Sequence, residues 1–209
     1  MKLFLFTTDT IHHVFFATKI HEKFPLSKII VETDCLIPGF DTFHAFEKER
    51  NEFEKYYFFK NHPVLLNEIT PNFFVKSIND ILTLNLIAKN KPDLIIVFGT
   101  RKINDGIIKM SPNRIFNLHG GDPEEYRGLD SHLWAIYHHD FKNLVTTLHC
   151  VNDTLDDGKI IQKVALPIKK NMGIHQLRSV NTGICVELVL NFLQVFEKTG
   201  TFEAHSQNK

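Results

Sequence analysis

Asn117 and His119 stand two residues apart in the run Arg-Ile-Phe-Asn-Leu-His-Gly-Gly-Asp-Pro-Glu-Glu-Tyr-Arg-Gly, Arg114 to Gly128. In an extended chain that spacing points both side chains to one face. Ile115-Phe116 before them reads as the end of a buried strand. Gly120-Gly121-Asp122-Pro123 after them stops any regular element. An amide N–H can hold an oxygen that gains negative charge, and a neutral imidazole can take a proton near neutrality. A lone histidine at a strand end is more often a structural hydrogen-bonder, so the rest of the chain must decide.

The elements that would position this pair begin at the N-terminus. Leu3 to Phe6 reads as a strand, Ile11 to Phe24 as a helix closed by Pro25, and Lys28 to Glu32 as a second strand. That β-α-β order implies parallel strands with a right-handed crossover. The intervening turn, Thr7-Thr8-Asp9-Thr10, has no glycine, which argues against a conventional dinucleotide site. Residues 33–60 read either as an amphipathic helix or as a flap over a ligand, with Tyr56 to Phe59 as a strand or a stacking platform. Pro71 to Ala88 reads as a helix, with Ile78, Ile81, Leu82, Leu84, Leu86 and Ile87 on its apolar side.

Leu94 to Phe98 is apolar at every position, as in a central parallel strand covered on both faces. A helix over Lys102 to Lys109 then leads into Ile115-Phe116-Asn117, a second central strand. Gly99-Thr100-Arg101 and Asn117-Leu118-His119 should therefore project together beyond the strands' carboxyl ends, where ligands sit in such sheets. Further on come a helix over Ser131 to His139 and strands over Leu144 to Val151 and Gly158 to Pro167. The acidic loop 152–158 lies between those strands, a helix follows over Met172 to Lys198, and a polar, frayed tail starts at Gly200. The expected class is α/β: a Rossmann-like, mostly parallel twisted sheet with helices on both faces. Residues 1–170 form the catalytic domain, and the helix and tail of 171–209 pack on that same domain.

Lys plus Arg and Asp plus Glu number 24 each, which argues against a generic nucleic-acid footprint. Cys35, Cys150 and Cys185 are odd in number and widely spaced, as expected of reduced cytoplasmic thiols. The apolar start ends at Thr7, too early for a signal peptide or membrane span, so the expectation is a cytoplasmic protein with no membrane partner. His12-His13 and His138-His139 lack ligand spacing and read as solvated, with no metal. Trp134 reads as core. Met172 to Lys198 is apolar nearly all round, which fits burial on the sheet or a homodimer interface.

Three motifs in order, Asn117-x-His119, Pro123-x-x-Tyr126-Arg127-Gly128 and Leu155-Asp156-x-Gly158, resemble those of the folate-dependent formyltransferases. The resemblance is strongest over Leu94 to Pro167. It implies Asn117, His119 and Asp156 as catalytic residues, with Asp157 as the alternative acid. It implies 10-formyltetrahydrofolate as co-substrate, held by Phe98, Gly99, Thr100 and Arg101 on one side and by Val151, Asp153 and Leu155 on the other. Gly120, Gly121, Tyr126 and Arg127 would meet the acceptor. Relatives usually place the proline one position later, but here the distance from His119 to Tyr126 is kept. The loop is thus re-spaced internally, with two glycines that would make it more mobile.

Within that family the resemblance favours the nucleotide-sugar N-formyltransferases. The glycinamide ribonucleotide enzyme reads a phosphate with a Gly-Ser-rich first turn, which Thr7 to Thr10 is not. The methionyl-tRNA enzyme has a further C-terminal domain, for which the residues after Pro167 leave no room, and the related hydrolase has an N-terminal regulatory domain. Tyr126-Arg127-Gly128 followed by Trp134-Ala135-Ile136 looks most like the sugar enzymes. The implied reaction is formylation of a nucleotide-linked amino sugar, such as a dTDP-4-amino-4,6-dideoxy sugar. The alternatives are another amine acceptor, or a binding protein for folate or nucleotide on the same scaffold.

Overall fold

Alternate residues of the apolar strands face opposite sides of one seven-stranded sheet, and that alternation builds two separate cores. The computed structural model describes residues 1–34, 43–62 and 64–208. The strands are β1 (Leu3–Thr7), β2 (Leu26–Glu32), β3 (Asn72–Val75), β4 (Leu94–Phe98), β5 (Ile115–His119), β6 (Val145–Cys150) and β7 (Ile160–Ala165). Their spatial order is β3-β2-β1-β4-β5-β6-β7. The first five pair in parallel, and β6 and β7 add on antiparallel.

Leu3, Leu5, Ile29, Val31, Leu94, Ile96, Phe116 and Leu118 join the core under the helices α1 (Ile11–Lys23) and α7 (Leu177–Thr199). Phe4, Phe6, Ile30, Ile95, Val97 and Ile115 join the second core, under α4 (Ile81–Asn90) and α5 (Asp105–Met110). Each such side chain stabilises the fold by roughly 1.5–3 kcal/mol on burial. The α/β reading therefore holds, with helices on both faces of a mostly parallel sheet.

Several elements differ from expectation. Pro71 to Ala88 is not one helix: residues 72–75 are the edge strand β3, paired with Ile29 to Glu32. The open edge of β2 outcompetes helical spacing there. The helix itself starts only after Asp80, whose side chain accepts from Leu82 N at 2.9 Å. Tyr56 to Phe59 is neither strand nor platform, but the last turn of α2 (Glu47–Phe59). Its Phe58 stacks on Phe15 of α1, with centroids 4.2 Å apart. The part of the helix-or-flap segment over 35–42, including Cys35, lies outside the described residues. The helix expected from Lys102 begins at Asp105.

Three smaller expectations fail on burial. His12 and His13 are buried rather than solvated, each 6% exposed. Trp134, in α6 (Ser131–Tyr137), is not core: it is 48% exposed and stacks loosely with His138. The segment after Gly200 is not frayed. Phe202 packs edge-on to Phe116 at 5.0 Å, and His205 exchanges backbone bonds with Ile160 at 2.8 and 2.9 Å. Residues Ile174–Thr199 are long and apolar enough by composition to cross a membrane, yet α7 packs on α1 and β6.

Candidate active site

Strand β5 delivers Asn117 and His119 to the carboxyl end of the sheet, and β6 lies antiparallel beside it. In that register Asn117 is opposite His149. The chain beyond β6 turns through loop 152–158 and returns Asp156 to the same point. Asn117 Nδ2 lies 3.1 Å from His149 Nε2 and 3.4 Å from Asp156 Oδ1. His119 Nδ1 lies 3.5 Å from Asp156 Oδ2. All three predicted residues therefore converge, and His149 joins them.

Hydrogen-bond partners assign the imidazole tautomers. His149 Nδ1 sits 2.8 Å from the Cys150 carbonyl, which only accepts, so Nδ1 carries the proton and Nε2 accepts from Asn117. His119 Nε2 is 2.8 Å from the Tyr126 carbonyl and must likewise donate. In neutral His119 the free lone pair is then on Nδ1, the nitrogen that faces Asp156. Burial pushes the His119 pKa below its ordinary value, although the Asp156 charge and the Tyr126 carbonyl oppose the shift. Burial disfavours charge on Asp156 too. The adjoining rings of His149 and His119 and the Gly128 N–H outweigh it and hold the carboxyl below its usual range. The Gly128 N–H donates to Asp156 Oδ2 at 2.9 Å. A neutral imidazole thus stands beside an ionised carboxylate.

Glycines explain much of the local sequence. At Gly99, φ is +84° and a Cβ would fall 2.2 Å from the buried His13 ring. His13 is held in turn by the Thr8 and Thr10 hydroxyls at 2.6 and 2.8 Å. Gly121 is buried, its carbonyl accepting from Thr147 Oγ1 at 2.8 Å, so the re-spaced loop is packed rather than loose.

The cluster opens onto a cavity of about 410 Å³. Phe98, Gly99, Thr100 and Arg101 line it on one side, Val151 and Leu155 on another, and Gly120 beside His119. Asp153 is exposed and does not line it. Gly121 does not line it; a Cβ there would lie 3.1 Å from His119 Nε2. Tyr126 presents its carbonyl to His119 and its hydroxyl to Asp140 at 3.2 Å. Arg127 turns to Asp157 Oδ1 at 2.7 Å and to Gln207 at 2.8 Å. Arg101 is committed to the buried Glu32, which takes its backbone N–H at 2.8 Å and its Nε at 3.0 Å. His149 escaped the sequence reading, because only the β5–β6 register brings it opposite Asn117. His132 and Asn181, also at the cavity, carried no sequence signal.

The buried histidines make a stability prediction. Burial drives the His13 pKa down to about 3 and that of His132 to about 4, against about 6.5 when unfolded. Both fold as neutral rings, so the unfolded chain binds more protons below pH 6.5. Stability from these groups is full above that value and is lost as pH falls towards 4 and then 3. Each contributes a slope of about 1.4 kcal/mol per pH unit within its window. Urea midpoints at pH 7, 6 and 5 should fall accordingly, and His13→Gln should flatten the trend; an unchanged slope in that variant refutes the assignment.

Residues 17–181 match the family model described as formyl transferase. The chain belongs to the formyl transferase family. Among curated relatives of this chain, the bifunctional polymyxin resistance protein ArnA of Wigglesworthia glossinidia brevipalpis is 31% identical over 118 residues, 56% of this chain and 18% of that protein. Methionyl-tRNA formyltransferase of Bacteroides thetaiotaomicron is 35% identical over 78 residues, 37% of this chain and 24% of that protein. The matched stretch thus spans less than a quarter of either relative. Two solved structures share the fold. A candidate sugar N-formyltransferase of Mycobacterium tuberculosis has a TM-score of 0.67 at 19% identity, covering 100% of this chain and 73% of that one. Glycinamide ribonucleotide transformylase 1 of Symbiobacterium toebii has 0.66 at 16% identity, with 100% and 95% covered.

Proposed function

We propose that this formyl transferase moves a formyl group from 10-formyltetrahydrofolate to the amino group of a nucleotide-linked amino sugar, such as a dTDP-4-amino-4,6-dideoxy sugar. The convergence of Asn117, His119 and Asp156 at the mouth of one cavity carries this reading. Asn117 spends one N–H on His149; its contact to Asp156, at 3.4 Å, is long and readily exchanged for an oxygen that gains charge. His119 Nδ1 takes the proton that the attacking amine loses, and the resulting imidazolium pairs with Asp156. Tyr126 and Gly128 supply the backbone groups that hold those two side chains. We assign the formyl donor to the cavity, whose volume suits a small-molecule site and whose apolar walls include Phe98, Val151 and Leu155.

The sugar acceptor rests on narrower grounds. The Tyr126-Arg127-Gly128 and Trp134-Ala135-Ile136 pattern supports it, as does the fold shared with the mycobacterial protein. The first turn counts against a ribonucleotide phosphate: it has no glycine, and its Thr8 and Thr10 hydroxyls are taken by His13. We place the protein in the cytoplasm, with Cys150 and Cys185 as free thiols, acting on a small molecule rather than on nucleic acid. Incubation with 10-formyltetrahydrofolate and a panel of amines, read by mass spectrometry of the acceptor, tests the proposal. Formylated nucleotide sugar is expected. Transfer to glycinamide ribonucleotide alone would reassign the acceptor, and folate binding with no transfer to any amine would make the protein a binder.

A further inference from the structure

The segment after α7 makes contacts that neither the family motifs nor the proposed chemistry uses. Gln207, half-buried, spends every polar atom of its carboxamide. Its Nε2 donates to the Asp156 carbonyl at 2.8 Å and to the Gly158 carbonyl at 2.9 Å. Its Oε1 accepts from Arg127 at 2.8 Å. The next residue, Asn208, donates its backbone N–H to Glu124 Oε1 at 2.6 Å. Glu124 in turn shares Lys163 with Asp122. His205 is joined to β7 through Ile160, and Phe202 packs against both Phe116 and Phe192. One short segment thus ties loop 120–128 to loop 152–158.

Those two loops hold the proposed site together. The first supplies the Tyr126 carbonyl to His119 and the Gly128 N–H to Asp156; the second carries Asp156 itself. Asp156 sits at φ +50°, a conformation that a non-glycine residue keeps only when its surroundings impose it. From these contacts we infer that Gln207 is a positioning residue for the transfer site, and that segment 201–208 is a strap fixing the Asp156 loop through its main-chain carbonyls. The inference rests on the reading of Asp156 as part of that site. A carboxamide suits the role because it alone offers two donors to the carbonyls and an acceptor to Arg127. Glutamate has the same shape and a better partner for Arg127, but no hydrogen to donate.

Gln207→Glu and Gln207→Ala in the full chain separate donation from packing. Both are expected to lower kcat about 10- to 100-fold, since misplacing a reacting group by about 1 Å has effects of that size. Amide exchange followed by mass spectrometry should rise in peptides covering 152–158 and 120–128 in both variants and stay unchanged over β1 and β4. A strap that only fills space would leave Gln207→Glu like wild type. Wild-type kcat together with unchanged exchange in Gln207→Glu overturns the inference. Should wild type formylate no amine, the proposed function fails by itself, and the exchange comparison still decides whether Gln207 fixes the loop.

Discussion

Replacing His119 with alanine is expected to slow formyl transfer by about 10²–10⁴-fold while folate affinity stays within a few-fold of wild type. The cavity walls assigned to folate are Phe98 to Arg101, Val151 and Leu155, and none of them touches the His119 ring through a hydrogen bond. What alanine removes is Nδ1, the nitrogen left free once Nε2–H is given to the Tyr126 carbonyl. The pH profile then identifies the base. Burial lowers the pKa of His119, so kcat/KM should rise with pH through a value below 6.5 and then level off. Asp156, Asp122 and His149 are the charged or titratable groups that act on this ring: the two carboxylates raise its pKa, and His149 lowers it. Asp156→Asn should therefore move the acid limb to lower pH as well as reducing the plateau. An unmoved limb in Asp156→Asn, or near-wild-type transfer by His119→Ala, would remove His119 as the base.

Much of this arrangement was legible because it is written in residues that break local rules. Leu94 to Phe98 announces a strand covered on both faces, since no half-exposed strand tolerates five apolar residues in a row. Asn117 and His119 stood out because polar side chains end an apolar strand there. What escaped was imposed from a distance. Asn72 to Val75 adjoins the helically spaced run from Ile78 to Ile87 and becomes a strand by pairing with the edge of β2. His12 and His13 look like surface residues until the Gly99 turn closes over the His13 ring. His149 becomes part of the site through the register between β5 and β6, which no window along the chain contains. The tail after Gly200 is polar in composition, and its order comes from carbonyls and side chains on loops 120–128 and 152–158.

Gly158→Ala should be the most damaging glycine-to-alanine change among the described residues, costing about 3 kcal/mol or more in stability. An ideal Cβ there would lie 1.6 Å from the Cys150 carbonyl oxygen and 2.6 Å from its carbon. These are backbone atoms at the end of β6, held by the bond from Cys150 N to the Lys159 carbonyl at 2.8 Å, so neither side can yield cheaply. The glycine of Leu155-Asp156-x-Gly158 is thus set by close approach, not by a positive φ. The loop must return to its own starting strand, and that return places the Asp156 carboxylate between His119 and His149. Gly183 provides the control. It lies within α7 with nothing inside 4 Å of an added Cβ, so Gly183→Ala should stabilise the helix by about 0.5–1 kcal/mol. Urea denaturation of the two variants should shift in opposite directions. If Gly158→Ala unfolds like wild type, loop 152–158 does not close in this way, and the position of Asp156 loses its support along with the roles assigned to Gln207 and His119.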